Sequence, residues 1–131
     1  MAGETSLTAL LRNLHPILND GEYVFCSLAD ATVLQGEDTL GSFREQEGLT
    51  VILERRRADA LGLKYEYVAA WITLTVHSAL EAVGLTAAFA SALGKAGISC
   101  NVLAAYYHDH VFVAVQDAAR AMEVLRELSR Q

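Results

Sequence analysis

Three stretches of the chain place apolar residues three or four positions apart, which is the spacing of one face of an α-helix. The first covers residues 7–18, and Pro16 is expected to end or kink it because the proline ring removes an N–H and clashes with the preceding turn. The second covers residues 85–96 and stops at Gly97, which accepts the left-handed backbone common after a helix. The third covers residues 118–128. The pattern therefore predicts three amphipathic helices.

Other apolar segments are short or alternate with polar residues, as β-strands do. The clearest alternation runs from Val68 to Val76, where every second residue is apolar. Residues 29–48 are rich in glycine and polar residues, so they are predicted to form a long loop with at most a short turn near residues 42–46. The polar link His108–His110 is predicted to be a hairpin turn. The predicted strands are residues 23–28, 50–53, 68–76, 101–107 and 111–115.

The order of these elements predicts a duplicated fold. From residue 68 onward the order is β, α, β, β, α, which is a ferredoxin-like unit without its last strand. The triplet Leu7-Thr8-Ala9 recurs as Leu85-Thr86-Ala87, at an offset of 85 − 7 = 78 positions. We therefore predict an α+β fold of two ferredoxin-like βαββαβ units in tandem, residues 1–64 and 65–131, with antiparallel sheets and helices on one face. The strand at 68–76 is expected to be both the last strand of the first unit and the first strand of the second.

Composition narrows the classes of partner. The 131 residues carry a net charge of −6, which argues against non-specific binding to nucleic acid or to an anionic membrane. Cys26 and Cys100 lack the spacing of a zinc or redox motif and are expected to be free thiols. The N-terminus has no secretory signal pattern and no apolar run is long enough to span a bilayer, so a cytoplasmic location is expected. Because 53% of the residues are hydrophobic in so short a chain, we also expect a homodimer.

Reactive side chains give little support for catalysis. The chain has no nucleophile elbow, no phosphate-binding glycine loop and no cysteine with the partners of a thiol enzyme. His108 and His110 with Asp109 are the best metal candidates, but a metal needs at least three converging ligands. We therefore expect no catalytic residues, no metal and no cofactor.

The segment between the strand at 68–76 and the next helix is more informative. A helix that begins near Leu85 presents N–H groups that lack internal partners and carry partial positive charge. A small carboxylate fits such a place, and Gly84 would let the backbone come close to a ligand. The alternative is an ordinary turn from strand to helix.

Several segments resemble the ACT-like domain family, and in particular small bacterial proteins with two such units in tandem. The resemblance is carried by residues 71–74, 78–87, 97–102 and 108–113, with weaker similarity in the first half. It implies a ferredoxin-like fold and a regulatory, non-catalytic protein that binds an amino acid or a similar small metabolite. Carried onto this chain, the implied ligand-binding residues are Ser78, Val83, Gly84, Leu85, Thr86, Asn101 and Asp109.

A second class of function remains open at this point. Ferredoxin-like sheets with exposed edges also pair with other chains, so the protein could be a regulatory interaction module without a small ligand. A ligand screen and a search for one enzyme partner would distinguish the two hypotheses.

Overall fold

The computed structural model describes residues 6–30, 34, 39–76 and 83–130 of the chain. The predicted α+β class is confirmed. The helices are α1 (Leu7–Arg12), α2 (Arg55–Ala60), α3 (Leu85–Lys95) and α4 (Ala118–Leu128). The strands are β1 (Pro16–Leu18), β2 (Tyr23–Leu28), β3 (Gly41–Glu45), β4 (Gly48–Glu54), β5 (Val68–Leu74), β6 (Cys100–Ala104) and β7 (Asp109–Ala114). A 3₁₀ turn at Val115–Asp117 leads into α4.

The chain divides into two compact units that do not follow its order in sequence. The discontinuous unit comprises Met1–Asn19 and Ala70–Gln131, and the inserted unit comprises Asp20–Ala69. The boundary falls inside β5, whose first two residues belong to the inserted unit and the rest to the discontinuous unit. The tandem division at residues 64 and 65 concerns the sequence repeat and stays a prediction.

The discontinuous unit buries one face of its strands under helices. Its strands follow the order β5, β7, β6, with β1 also paired to β5. Every second residue of β5 and β7, including Ile72 and Val111, enters the core, as the two-residue period of a strand requires. Phe89 of α3 and Leu125 of α4 pack on the same core and are fully buried. The hydrophobic faces of sheet and helices thus explain the layered arrangement.

Strand β1 lies at the end of the stretch 7–18, for which the pattern predicts a helix that Pro16 ends or kinks. Helix α1 ends at Arg12, and Pro16–Leu18 pairs antiparallel with β5 in the register Pro16↔Leu74 to Leu18↔Ile72. Proline is tolerated here because β1 begins at it and so loses no interior ladder bond. No strand follows α4 among the described residues, and β1 pairs antiparallel with β5, the first strand of the second half.

The inserted unit is built mainly from strand pairing. Its strands follow the order β3, β4, β2, β5. Strands β2 and β4 pair antiparallel over six residues, from Tyr23↔Glu54 to Leu28↔Leu49. Its buried core residues are Val24, Cys26, Leu28, Val51, Leu53 and Ala58. Cys26 and Cys100, the latter in the other unit, are both free thiols, as expected.

Two local predictions from the sequence are wrong. Residues 41–45 form β3 rather than a loop, since most of this edge strand is exposed and polar. The hairpin turn predicted at His108–His110 lies earlier, because Asp109 and His110 belong to β7. The chain reverses between Ala105 and His108, and the N–H of Ala105 donates to the carbonyl of His108 at 3.0 Å.

Candidate ligand-binding site

The start of α3 has the form predicted for a carboxylate site. Gly84 is the N-cap residue with φ +98°, and no side chain caps the helix. The first intrahelical bond runs from the N–H of Ala88 to the carbonyl of Gly84 at 2.9 Å. The N–H groups of the three preceding helical residues therefore have no partner within the helix. No acidic residue lies in this first turn, so no side chain of the turn itself offsets its partial positive charge.

The residues around this helix start have different environments. Val83 is 82% exposed, whereas Leu85 is buried in the core of the discontinuous unit. Thr86 is exposed on the first turn of α3. Only Val83 and Thr86 of this segment can therefore offer side chains to a ligand from solvent, while Leu85 anchors the helix. Ser78 and the other residues from 77 to 82, which precede this helix start, lie outside the described residues.

Gly84 is required by packing as well as by backbone conformation. Its positive φ is a region that residues with a side chain rarely adopt. A Cβ at this position would also lie 3.2 Å from Leu7 Cδ2. The space beside Gly84 that we expected to admit a ligand is thus occupied on the Cβ side by Leu7 of α1.

Asn101 and Asp109 do not converge. In the β6–β7 hairpin Asn101 is the partner of Phe112, and Asp109 is the partner of Ala104. Because side chains alternate between faces, Asp109 shares the helix-covered face with Val111, whereas Asn101 lies on the opposite face. A single small ligand on either face would therefore meet one of these side chains and not the other.

Asp109 lies in an environment unfavourable to its charge. Burial raises the pKa of the Asp109 carboxyl above its ordinary value, and the nearby His110 and His108 offset this only in part. Burial, and then His108, lower the pKa of His110, while Asp109 opposes the change. A half-buried carboxylate of this kind is a candidate for a functional role.

Sequence reasoning missed a polar network on the sheet face opposite the helices. Trp71 Nε1–H donates to His110 Nδ1 at 3.0 Å, and Thr73 Oγ1 lies 3.1 Å from the same nitrogen. Asn19 Nδ2 donates to Thr73 Oγ1 at 2.9 Å. Since Nδ1 accepts from the indole, neutral His110 carries its proton on Nε2. Among the described residues, no group of three or more metal-ligating side chains comes together.

A second missed feature is a mixed-charge cavity in the inserted unit. It encloses about 590 Å³ between Asp20–Tyr23 and Glu54–Arg56. Arg55 is held in its wall by the Tyr65 hydroxyl at 3.0 Å and by Glu22 at 2.9 Å. The hydrogen bond to Tyr65, and to a smaller extent the one to Glu22, raise the pKa of Arg55. None of the predicted ligand-binding residues lines this cavity.

Comparison with protein families identifies the fold in both halves of the chain. A family model described as "ACT domain" matches residues 2–70, and a second with the same description matches residues 66–127. The chain belongs to the ACT domain family. Its two ACT domains stand in tandem, as the resemblance implied. No match to a curated protein is found.

Solved structures resemble this chain over most of its length. A Vibrio cholerae protein of unknown function, called a possible transport protein, is 47% identical, with a TM-score of 0.85 over 95% of this chain and 97% of that one. The Agrobacterium tumefaciens protein Atu0741 is 17% identical, with a TM-score of 0.67 over 88% of this chain and 89% of that one. The ligand-free regulatory subunit of aspartate kinase from Thermus thermophilus is 11% identical, with a TM-score of 0.63 over 86% of this chain and 95% of that one. The last two similarities concern the fold alone.

Among the described residues, the helices are all too short or too polar to cross a membrane.

Proposed function

We propose that this tandem ACT protein is a non-catalytic regulatory protein that binds an amino acid or a similar small carboxylate at the start of α3. The observation that carries the proposal is the uncapped first turn of α3 within an ACT domain. The ligand carboxylate would accept hydrogen bonds from the backbone N–H groups that follow Gly84. The exposed Thr86 hydroxyl would lie beside it.

The similarity to a regulatory subunit of aspartate kinase supports a regulatory role, although that similarity is one of fold. Free thiols at Cys26 and Cys100 support a reducing, cytoplasmic compartment. We include a homodimeric state in the proposal. Because Asn101 and Asp109 lie on opposite faces of the hairpin, we assign the ligand's ammonium group to neither.

A second candidate function is a regulatory interaction module without a small ligand. It is favoured by apolar side chains exposed on and beside the β6–β7 hairpin, where Tyr106 and Tyr107 are 73% and 62% exposed. Exposed edges and apolar patches of this kind mark surfaces that pair with another chain. This function predicts one recovered protein partner and no response to small carboxylates.

The decisive experiment is a thermal-shift screen of the common amino acids, followed by titration calorimetry of any hit. A ligand present at about 100 times its Kd should stabilise the protein by about 2.7 kcal/mol. The amide derivative of the same amino acid, which lacks the carboxylate, should bind at least about tenfold more weakly if a charge-assisted hydrogen bond is lost. A screen without any stabilising ligand would contradict ligand binding and favour the interaction module.

The site itself is tested by Thr86→Glu, with Thr86→Gln as the matched neutral control. A carboxylate in the first turn should stabilise the unliganded helix by about 0.3–1 kcal/mol while repelling the ligand carboxylate. We therefore expect Thr86→Glu to raise Tm slightly and to abolish binding, whereas Thr86→Gln should retain most of it. Unchanged affinity in Thr86→Glu would place the ligand elsewhere while leaving ligand binding intact.

A further inference from the structure

The outer surface of the discontinuous unit carries a groove between α3 and α4. The groove encloses about 670 Å³. Its apolar lining consists of Ala88, Ala92, Val124 and Leu128. Val124 and Leu128 are also packed partly against the core beneath, so the groove lies directly over the buried layer.

The groove exists because α3 presents small side chains on this side. Ala88, Ser91 and Ala92 leave room that longer side chains would fill. Helices pack with their axes about 8–10 Å apart, and the smaller separations require small side chains at the crossing. The surface of α3 is therefore suited to close approach by another helix.

The two walls of the groove carry opposite charges. Lys95 stands on the α3 wall, and Glu123 and Glu127 stand on the α4 wall. Glu123 lies 3.4 Å from Arg126 of α4, and Glu127 lies 3.1 Å from Arg130 just after the helix. All four side chains are about half exposed or more, so these ion pairs are weak. Lys95 makes no ion pair within the part of the chain that the structure describes.

A basic wall facing an acidic wall is self-complementary under two-fold symmetry. In a symmetric dimer the same surface is used twice, so each element that meets the partner is met in turn by its copy. If α3 of one subunit lies in the groove of the partner subunit, this helix contacts both α3 and α4 of the partner subunit. Lys95 then comes to the side of Glu123 and Glu127 of the partner subunit, and the same contact occurs a second time.

We propose that the groove between α3 and α4 is the contact surface of a symmetric dimer of this chain, in which the two α3 helices pack against each other. The small residues Ala88, Ser91 and Ala92 form the close contact. Lys95 pairs with the acidic wall of the partner and fixes the orientation. The proposal does not depend on the ligand site at the start of α3, since it uses later turns of that helix.

The test is sedimentation equilibrium of the full chain from about 1 to 200 μM, which covers the micromolar range typical of weak specific association. Lys95→Glu places like charges opposite each other twice, so we expect the dimer Kd to rise at least about tenfold. Glu127→Lys should weaken the dimer in the same way. The double variant Lys95→Glu/Glu127→Lys restores opposite charges and should return Kd to within about threefold of the unmodified protein. Arg56→Glu, a reversal in the inserted unit, is the matched control and should leave Kd unchanged.

A second variant tests the apolar contact independently of charge. Ser91→Trp fills the groove and should abolish the dimer while Tm and the far-ultraviolet circular dichroism stay close to those of the unmodified chain. The proposal is overturned if the protein is monomeric at 200 μM, if the dimer resists both the reversals and Ser91→Trp, or if the double variant fails to recover. Resistance to all of them, combined with dissociation by Val102→Lys, would place the dimer contact on the exposed edge strand β6 instead.

Discussion

In the discontinuous unit, α3 and α4 have eleven residues each and cover a core of 15 buried residues among those described. In the inserted unit, α2 has six residues, and the described part of the core has six buried residues. The longer helices bury an apolar stripe over several turns, which adds to stability roughly in proportion to the area removed from water. The first unit therefore depends mainly on helix burial.

The inserted unit must obtain more of its stability from strand pairing. Its β4 pairs with β2 on one side and with β3 on the other. Pairing of this kind brings backbones close together, most of all at Gly48, where a Cβ would lie 2.7 Å from the carbonyl oxygen of Leu28. The comparison predicts that large side chains are critical in one unit and backbone geometry in the other.

The largest effect should follow truncation of Phe89, which is fully buried beneath α3. Phe89→Ala should lower the free energy of unfolding by about 3–5 kcal/mol, because it removes buried area and leaves a cavity. The matched control is Phe43→Ala on β3, since Phe43 is 74% exposed and its loss should change the value by less than about 0.5 kcal/mol. Urea denaturation measures both, and equal losses would contradict the stated difference between core and edge.

The second-largest change in stability should come from replacing Gly48 with alanine, and replacing Gly94 should have the opposite sign. Gly48→Ala combines a positive φ with a clash against the Leu28 carbonyl, so it should destabilise by about 1–3 kcal/mol. Gly94→Ala in α3 meets nothing within 4 Å and replaces a poor helix former, so it should stabilise by about 0.5–1 kcal/mol. Thermal unfolding of the two variants should give shifts of opposite sign. A neutral Gly48→Ala would show that strand pairing in the inserted unit tolerates backbone displacement.

The elements that the sequence pattern predicts well are those with one buried face. Strand β2 was predicted with its observed bounds, and the alternation of β5 is the same alternation that places Ile72 in the core and Trp71 outside it. Strands β1 and β3 are missed because most of their residues are exposed and no alternation of apolar and polar residues marks them. An edge needs only backbone pairing, which leaves little trace in side-chain composition.

In the candidate site, too, the sequence predicts the features that depend on adjacent residues and misses those that depend on distant ones. The uncapped start of α3 follows from local signals, since Gly84 and the apolar residues after it are adjacent in sequence. The Trp71–His110 hydrogen bond joins residues 39 positions apart, and no spacing rule connects them. The resemblance implies that Asn101 and Asp109 both bind the ligand, but pairing register places their side chains on opposite faces of the hairpin. Register depends on the whole sheet, which local patterns do not encode.

A third prediction concerns the charge of Asp109. Its pKa is raised by burial, so the folded state binds the proton more tightly than the unfolded state does. Stability from this group is fully present below the unfolded pKa and is lost as pH rises through the folded pKa. Asp109→Asn stays neutral, so it should have a higher Tm than the unmodified chain at pH 7 and a similar Tm near pH 3. Parallel pH profiles of the two proteins would contradict burial as the cause.

The smallest effect should be optical, and it uses the single tryptophan of the chain. His110 has a lowered pKa, so the stability that it contributes is present above its unfolded value and is lost as pH falls through the folded pKa. Protonation makes Nδ1 a donor, and it can then no longer accept the hydrogen bond from Trp71. Trp71 fluorescence should therefore change with a midpoint below about 6.5, the ordinary histidine value. His110→Gln should remove this transition, while His15→Gln, at an exposed histidine outside the network, should keep it. If the fluorescence transition survives in His110→Gln, Trp71 responds to the titration of another group. The hydrogen bonds among Asn19, Thr73 and Trp71 would then not depend on a neutral His110.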